Sequence, residues 1–213
     1  MKNVVILGAN GHTSREIIPR LLEQEDVKLT LFLRRADRLK NINSDRVRVI
    51  EGDASKPDAL REALRGQDIV ISTMGGMDLG EKTELVVVVM EELSVPRLIA
   101  ISAGGIYDEL PEPFNSWDKG ITGYTRPTNL KAAEVIEASS LKYTILRPVW
   151  LTDKSIEDFE LTRKGKTFKG TETSRASIGR LVANVVAEPT LYANENLGVS
   201  QPHTEGDRPA AYR

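Results

Sequence analysis

Short apolar runs alternate along this chain with segments whose apolar residues return every three or four positions. Val4–Leu7 is rich in β-branched residues, bounded by Asn3 and Gly8, and reads as a buried parallel strand. Ile17, Ile18, Leu21 and Leu22 then form one apolar helical face. Val27, Leu29, Leu31 and Leu33 alternate with a period of two, which predicts a strand over Val27–Leu33. Further strands are predicted at Arg46–Ile50, Ile69–Ser72 and Leu98–Ser102. Pro57–Leu64 reads as a helix, with Ser55 or Lys56 near its start and Gly66 just past its end. Leu85–Met90 has the propensity of a strand. Glu81, Glu84, Glu91 and Glu92 flank it, however, and two neighbouring parallel strands need a crossover. A right-handed crossover helix meets that need, so a buried helix is predicted.

The second half is more broken. Tyr107–Gly123 contains Pro111, Pro113, Gly120 and Gly123 and reads as a loop. Pro127–Ser139 reads as a helix, since proline is tolerated in a first turn. Tyr143–Leu146 is a strand ended by Pro148, and Ser174 can cap a helix from Arg175 to about Ala187. Asn196–Ser200 is a short late strand, and the polar tail Gln201–Arg213 is expected to be mobile. Strands alternating with helices predict an α/β fold, a doubly wound Rossmann-type domain with a mostly parallel sheet. The expected organisation is one domain over 1–213, with a cofactor half to about 105 and substrate-pocket elements from about 106 to 200.

Composition narrows the function classes. The 213 residues are 40% hydrophobic and 28% charged, with a formal net charge of −2. That balance gives no sign of a nucleic-acid or membrane partner, and leaves a small molecule as the expected one. The absence of cysteine removes disulfides, thiolate metal sites and a cysteine nucleophile. The two histidines, His12 and His203, show no metal-ligand spacing, so no metal is expected. Leu85–Met90 is far shorter than the roughly 20 residues that span a bilayer. Met1–Gly8 lacks the long apolar region of a signal peptide, and a cytoplasmic location is the expectation.

The chemistry begins at Gly8-Ala-Asn10-Gly11-His12-Thr13-Ser14, between a predicted strand and a predicted helix. That is the setting of a dinucleotide fingerprint. Gly8 permits the tight turn and Gly11 lets backbone approach a pyrophosphate. His12 and Thr13 offer N–H groups at the helix amino end. Ser14 replaces the third glycine, which normally allows close helix–strand packing, and so weakens the pattern without breaking it. Arg15 could reach a phosphate or be an ordinary solvated residue. After Leu-Phe-Leu33 come Arg34 and Arg35, with Asp37 only later. Guanidinium forks suit a 2′-phosphate, which favours NADP(H) over NAD(H).

With these residues in place the chain resembles the atypical short-chain dehydrogenase/reductases. Within them it resembles the NAD(P)-binding branch near the NmrA-like regulators and the biliverdin reductase B (flavin reductase) type. The likeness rests on Val-Val-Ile-Leu-Gly-Ala-Asn-Gly, Leu-Arg-Arg, Glu-Gly-Asp53-Ala54, Ile-Ser72-Thr-Met-Gly75, Ile-Ser102-Ala-Gly-Gly and Leu-Lys-Tyr143-Thr-Ile-Leu-Arg147-Pro148. The resemblance implies that Asp53 and Ala54 flank the adenine, and that Thr73, Met74 and Gly75 line the central ribose. It places Pro148, Val149 and Trp150 beside the nicotinamide.

The acid/base pair of most such dehydrogenases, a tyrosine with a lysine four residues later, is absent. Tyr124 and Lys131 are seven apart, with Pro127 between them. Aligning from Tyr143 instead puts Thr125 and Asn129 at the two positions. Ser102, or in another register Ala103, occupies the serine position, so Ser102 and Tyr124 are the candidate catalytic residues. Met74, Tyr107, Trp117, Tyr124 and Trp150 are candidate pocket walls. Hydride transfer from NADPH to a flavin, quinone or similar planar acceptor needs little protein acid/base work, which makes it the leading expectation. The alternative is a redox sensor that binds NADP(H) without chemistry.

Overall fold

The computed structural model describes residues 1–39, 42 and 44–213. Its centre is an eight-stranded sheet in the order β3-β2-β1-β4-β5-β6-β10-β8. The strands are β1 (Lys2–Leu7), β2 (Val27–Leu33), β3 (Val47–Glu51), β4 (Ile69–Ser72), β5 (Arg97–Ile101), β6 (Lys142–Pro148), β8 (Glu160–Arg163) and β10 (Glu195–Ser200). All neighbours run parallel except β8, which is antiparallel to β10. Two short strands, β7 (Trp150–Thr152) and β9 (Glu172–Ser174), pair separately.

Both faces of the sheet are covered, which explains the composition of the central strands. Val5 and Leu7 of β1, Val70 of β4 and Ile145 of β6 share one core. That core includes residues of α2 (Pro57–Leu64), α3 (Leu79–Glu92) and α5 (Arg126–Ala138). Val4, Ile6, Ile71 and Leu146 share the other core with α1 (His12–Leu22) and α6 (Arg175–Ala187). In β2 only Lys28 is exposed, so its alternating leucines mark two buried faces rather than one wet and one dry. Leu85–Met90 lies within α3, as its crossover role requires, with Val86, Val87, Val89 and Met90 buried and Val88 exposed. Ser174 caps α6 by accepting from the Ser177 amide at 2.9 Å.

Two expectations are overturned. Tyr107–Gly123 is not all loop: α4 (Phe114–Thr122) forms inside it. Its start is held by Glu112, whose carboxylate accepts from the Ser116 amide at 3.2 Å and the Ser116 hydroxyl at 2.7 Å. Phe114 is fully buried, and Gly120 faces open space where its missing side chain costs little packing. Nor is the tail a free polar end. Gln201 is buried, Thr171 and Thr204 bond to one another, and the Ala210 amide donates to the buried Glu172 carboxylate at 2.5 Å. Tyr212 packs on Trp117 and Trp150 with ring centroids 5.2 and 5.1 Å away.

Candidate functional site

The strand order steps from β1 outward to β2 and β3 on one side and to β4, β5 and β6 on the other. Open α/β sheets bind ligands in the crevice that such a reversal leaves beyond the carboxyl ends of the strands. A cleft of about 360 Å³ opens there. It is lined by Gly8, Asn10 and Gly11, by Phe32, Leu33, Arg34, Arg35 and Arg38, by Gly52, Asp53 and Ala54, and by Thr73, Met74, Gly75 and Lys82.

The floor of the cleft is a hydrogen-bonded knot. Gly8 has φ +86°, and a Cβ there would stand 3.0 Å from Thr73 Oγ1 and 3.3 Å from the Met74 amide. Its amide donates to the Phe32 carbonyl at 3.0 Å. The Ser14 hydroxyl is fully buried, 3.1 Å from the Gly8 carbonyl and 2.7 Å from Thr73 Oγ1. Thr73 in turn donates to the Leu7 carbonyl at 3.0 Å. Ser14 therefore ties the β1–α1 turn to the end of β4, a role that a glycine could not fill. The departure from the usual fingerprint strengthens the loop.

The amino end of α1 is open. Its N-cap is Gly11, which has no side chain to accept a hydrogen bond, and the first helical bond runs from the Arg15 amide to the Gly11 carbonyl. The amides of His12, Thr13 and Ser14 consequently have no intrahelical partner. Free N–H groups beside a glycine turn fit the pyrophosphate of a dinucleotide, with the helix dipole adding to the attraction.

At the other end of the cleft stand the exposed Arg34, Arg35 and Arg38. Arg35 pairs with Asp37 at 3.2 Å, while Arg34 and Arg38 have no ion pair among the described residues. Hydrogen bonds from Ser55 hold the Asp53 carboxyl below its ordinary range, and Lys82 and Arg34 add to the effect. Arg38 and Lys82 carry no signal in the sequence. Arg38 sits on a short 3₁₀ turn (Ala36–Arg38), and Lys82 reaches the cleft only because α3 starts beside β4.

The remaining candidates fall elsewhere. His12 and Thr13 are placed at the helix start but do not line the cleft, and neither do Pro148, Val149 or Trp150. Ser102 follows β5 with its amide on the Leu146 carbonyl, and its hydroxyl is buried without a partner. Tyr124 is 69% exposed. Lys131 is turned to α3, with its ammonium 3.1 Å from Glu81 and 3.5 Å from Glu84. Thr125 donates to the Thr122 carbonyl at 2.8 Å and Asn129 to the Thr125 carbonyl at 2.9 Å, so both serve the helix backbone. Tyr107 accepts from Asn196 at 3.0 Å and lies beneath the buried Arg147 guanidinium. Trp117 and Trp150 meet edge-on at 5.2 Å. Only Met74 of the five candidate pocket walls lines the cleft itself. Among the described residues no group of acidic or histidine side chains could hold a metal ion, and no helix is long and apolar enough to cross a membrane.

Comparison with known proteins agrees with this geometry. The model of a family described as NAD(P)H-binding matches residues 8–189. A Rossmann-fold NAD(P)-binding family protein from Shigella flexneri is 39% identical, with 98% of each chain covered and a TM-score of 0.83. A short-chain dehydrogenase/reductase of the wide type from Veillonella parvula, solved in complex with NADP, is 28% identical. There 98% of this chain and 99% of that one are covered, at a TM-score of 0.91. A phenylcoumaran benzylic ether reductase from Ginkgo biloba is 23% identical over 150 residues. That match takes in 66% of this chain and 46% of the ginkgo protein, so the chain spans less than half the length of the curated relatives it matches.

Proposed function

This chain belongs to the NAD(P)H-binding family, and from that premise we propose that it is an NADPH-dependent reductase of the atypical short-chain dehydrogenase/reductase type. Its acceptor is a flavin, a quinone or a similar planar molecule, and its branch is that of the NmrA-like and biliverdin reductase B proteins. One observation carries the reading. The cleft has an open phosphate end, yet neither tyrosine–lysine alignment yields an acid/base pair, because Lys131 is held by Glu81 and Glu84 and Thr125 and Asn129 are turned to backbone. The bound dinucleotide would supply the hydride, and the protein's task is to hold it and exclude competing geometry.

In this reading the amides of His12 and Thr13 hold the pyrophosphate. Arg34, Arg35 and Arg38 select the 2′-phosphate, and so NADP over NAD, because two of the three guanidinium groups form no ion pair among the described residues. Met74 and Gly75 meet the ribose on the nicotinamide side. Residues 1–213 work as one domain, in the cytoplasm, on a small molecule, without a nucleic-acid or membrane partner. Steady-state oxidation of NADPH against a panel of flavins and quinones is expected to show turnover; none above background with any acceptor would sink the proposal.

A second reading rests on the same missing pair. A protein that senses the NADP/NADPH ratio needs the cleft and no acid/base chemistry. It requires unequal affinity for the two redox forms, because a ligand bound equally by two states shifts nothing. Calorimetric titration with each form separates the readings: turnover with a small difference supports the reductase, and a large difference without turnover supports the sensor.

A further inference from the structure

A dinucleotide whose pyrophosphate lies on the open end of α1 has its adenosine ribose at the end of β2, among Arg34, Arg35 and Arg38. The base then extends toward the end of β3 and the first turn of α3. Two charged side chains line the cleft there, Asp53 and Lys82. Asp53 and Lys82 face the same cleft, and the ammonium helps hold the Asp53 carboxyl below its ordinary range. Both carboxylate oxygens of Asp78 hold the Lys82 ammonium, at 2.9 and 2.8 Å, and its side chain is only 13% exposed. The result is an ammonium fixed by Asp78 in the same cleft wall that carries the Asp53 carboxylate.

Adenine carries an exocyclic amine that donates, flanked by ring nitrogens that accept. A carboxylate beside an ammonium is the complement of that edge. We propose that Lys82 is a further specificity-determining residue for the adenine of the cofactor, donating to a ring nitrogen of the base that the family resemblance already places against Asp53. The proposal rests on the dinucleotide-binding reading above. The three arginines already supply the cations that a 2′-phosphate needs, and Lys82 stands with Asp53 and Asp78, whose charges would repel a phosphate.

The test is calorimetric titration of wild type, Lys82→Met and Lys82→Arg with NADPH, with NADH and with adenosine, a probe that has the base and no phosphate. Lys82→Met is expected to weaken all three by a similar factor, on the order of tenfold for a lost hydrogen bond from a charged donor. Lys82→Arg, which keeps the donor, is expected to recover most of the loss. An i,i+4 pair whose carboxylate, Asp78, is 58% exposed contributes little to stability, and methionine keeps the packed stem, so Lys82→Met should melt with wild type. A loss confined to NADPH would make Lys82 a phosphate ligand and overturn the inference, as would no loss with any probe. If wild type bound neither NADPH nor NADH, the dinucleotide reading itself would fall, and this one with it.

Discussion

Around Gly8–Ser14 and the ends of β2 and β3, polar groups stand open. The first amides of α1 have no helical partner, and Arg34 and Arg38 line the cleft without an ion pair among the described residues. Around Gly104–Leu110, polar groups are shut in. Arg147, fully buried, pairs with Glu109, donates to Asn196 at 2.7 Å and lies between the rings of Tyr107 and Phe168. Arg126 from α5 is nearly as buried and binds Asp108 at 3.1 Å, Asn115 at 3.0 Å and Asp118 at 2.9 Å. Glu109 also accepts from the Gly105 and Tyr107 amides, so the loop after β5 is clamped by two arginines from different elements. One region leaves its hydrogen-bonding groups open toward a cleft; the other turns most of its own inward to hold a shape, with only Arg147 Nη2 and Arg126 Nε left without a partner among these two arginines. The first is suited to receive a ligand, and the second fixes the loop after β5.

The strongest way to break the comparison is Glu109→Ala. It strands the Arg147 charge in the core, and losing one partner of a buried pair costs about 3–5 kcal/mol. Urea unfolding is expected to show a loss of that order, while protein that remains folded keeps its NADPH affinity. Equal stability would mean that the clamp is ornamental. Next in size is Arg34→Ala, expected to weaken NADPH by roughly ten- to a hundredfold and NADH much less, with an unchanged melting curve. Parallel losses for both cofactors would take the 2′-phosphate away from this residue.

A smaller effect concerns the docked tail. Burial pushes the Glu172 carboxyl up, but Lys154 and the Ala210 amide outweigh it, and the net shift is downward. A carboxyl with a lowered folded value stabilises the protein fully above its unfolded value of about 4.3. That contribution is lost as pH falls through the folded value. Acid titration of tryptophan fluorescence, which Tyr212 influences through its packing on Trp117 and Trp150, should report the tail loosening below that point. Lys154→Met should move the loosening to higher pH; an unmoved transition would remove Glu172 from it. The smallest expected effect is that of Tyr124→Phe, which should leave NADPH oxidation unchanged because the phenol is 69% exposed. Loss of activity would revive a tyrosine acid/base.

How much was legible depended on how local the cause was. The strand at Ile69–Ser72, the helix at Pro57–Leu64 and the crossover helix through Leu85–Met90 appear where their patterns put them. Strand ends shifted by a residue or two, and β6 runs on to Pro148 instead of stopping at Leu146. The α4 helix was hidden by two prolines and two glycines, although Phe114 and Trp117 have helical spacing and Glu112 can cap it. The three short strands β7, β8 and β9 gave no periodicity to read.

The phosphate loop, the doubly wound alternation and the arginines after β2 were set by the sequence alone, because each depends on neighbours within a few residues. Gly8 must turn at positive φ wherever the strand meets the helix. What Ser14 does was decided by the fold, since its partner Thr73 is 59 residues away. So were the places of Lys82 in the cleft, of Tyr124 in solvent and of Tyr212 against two tryptophans. A side chain's chemistry is fixed by its residue type, but its partner is fixed by packing, and packing joins residues that the chain keeps far apart.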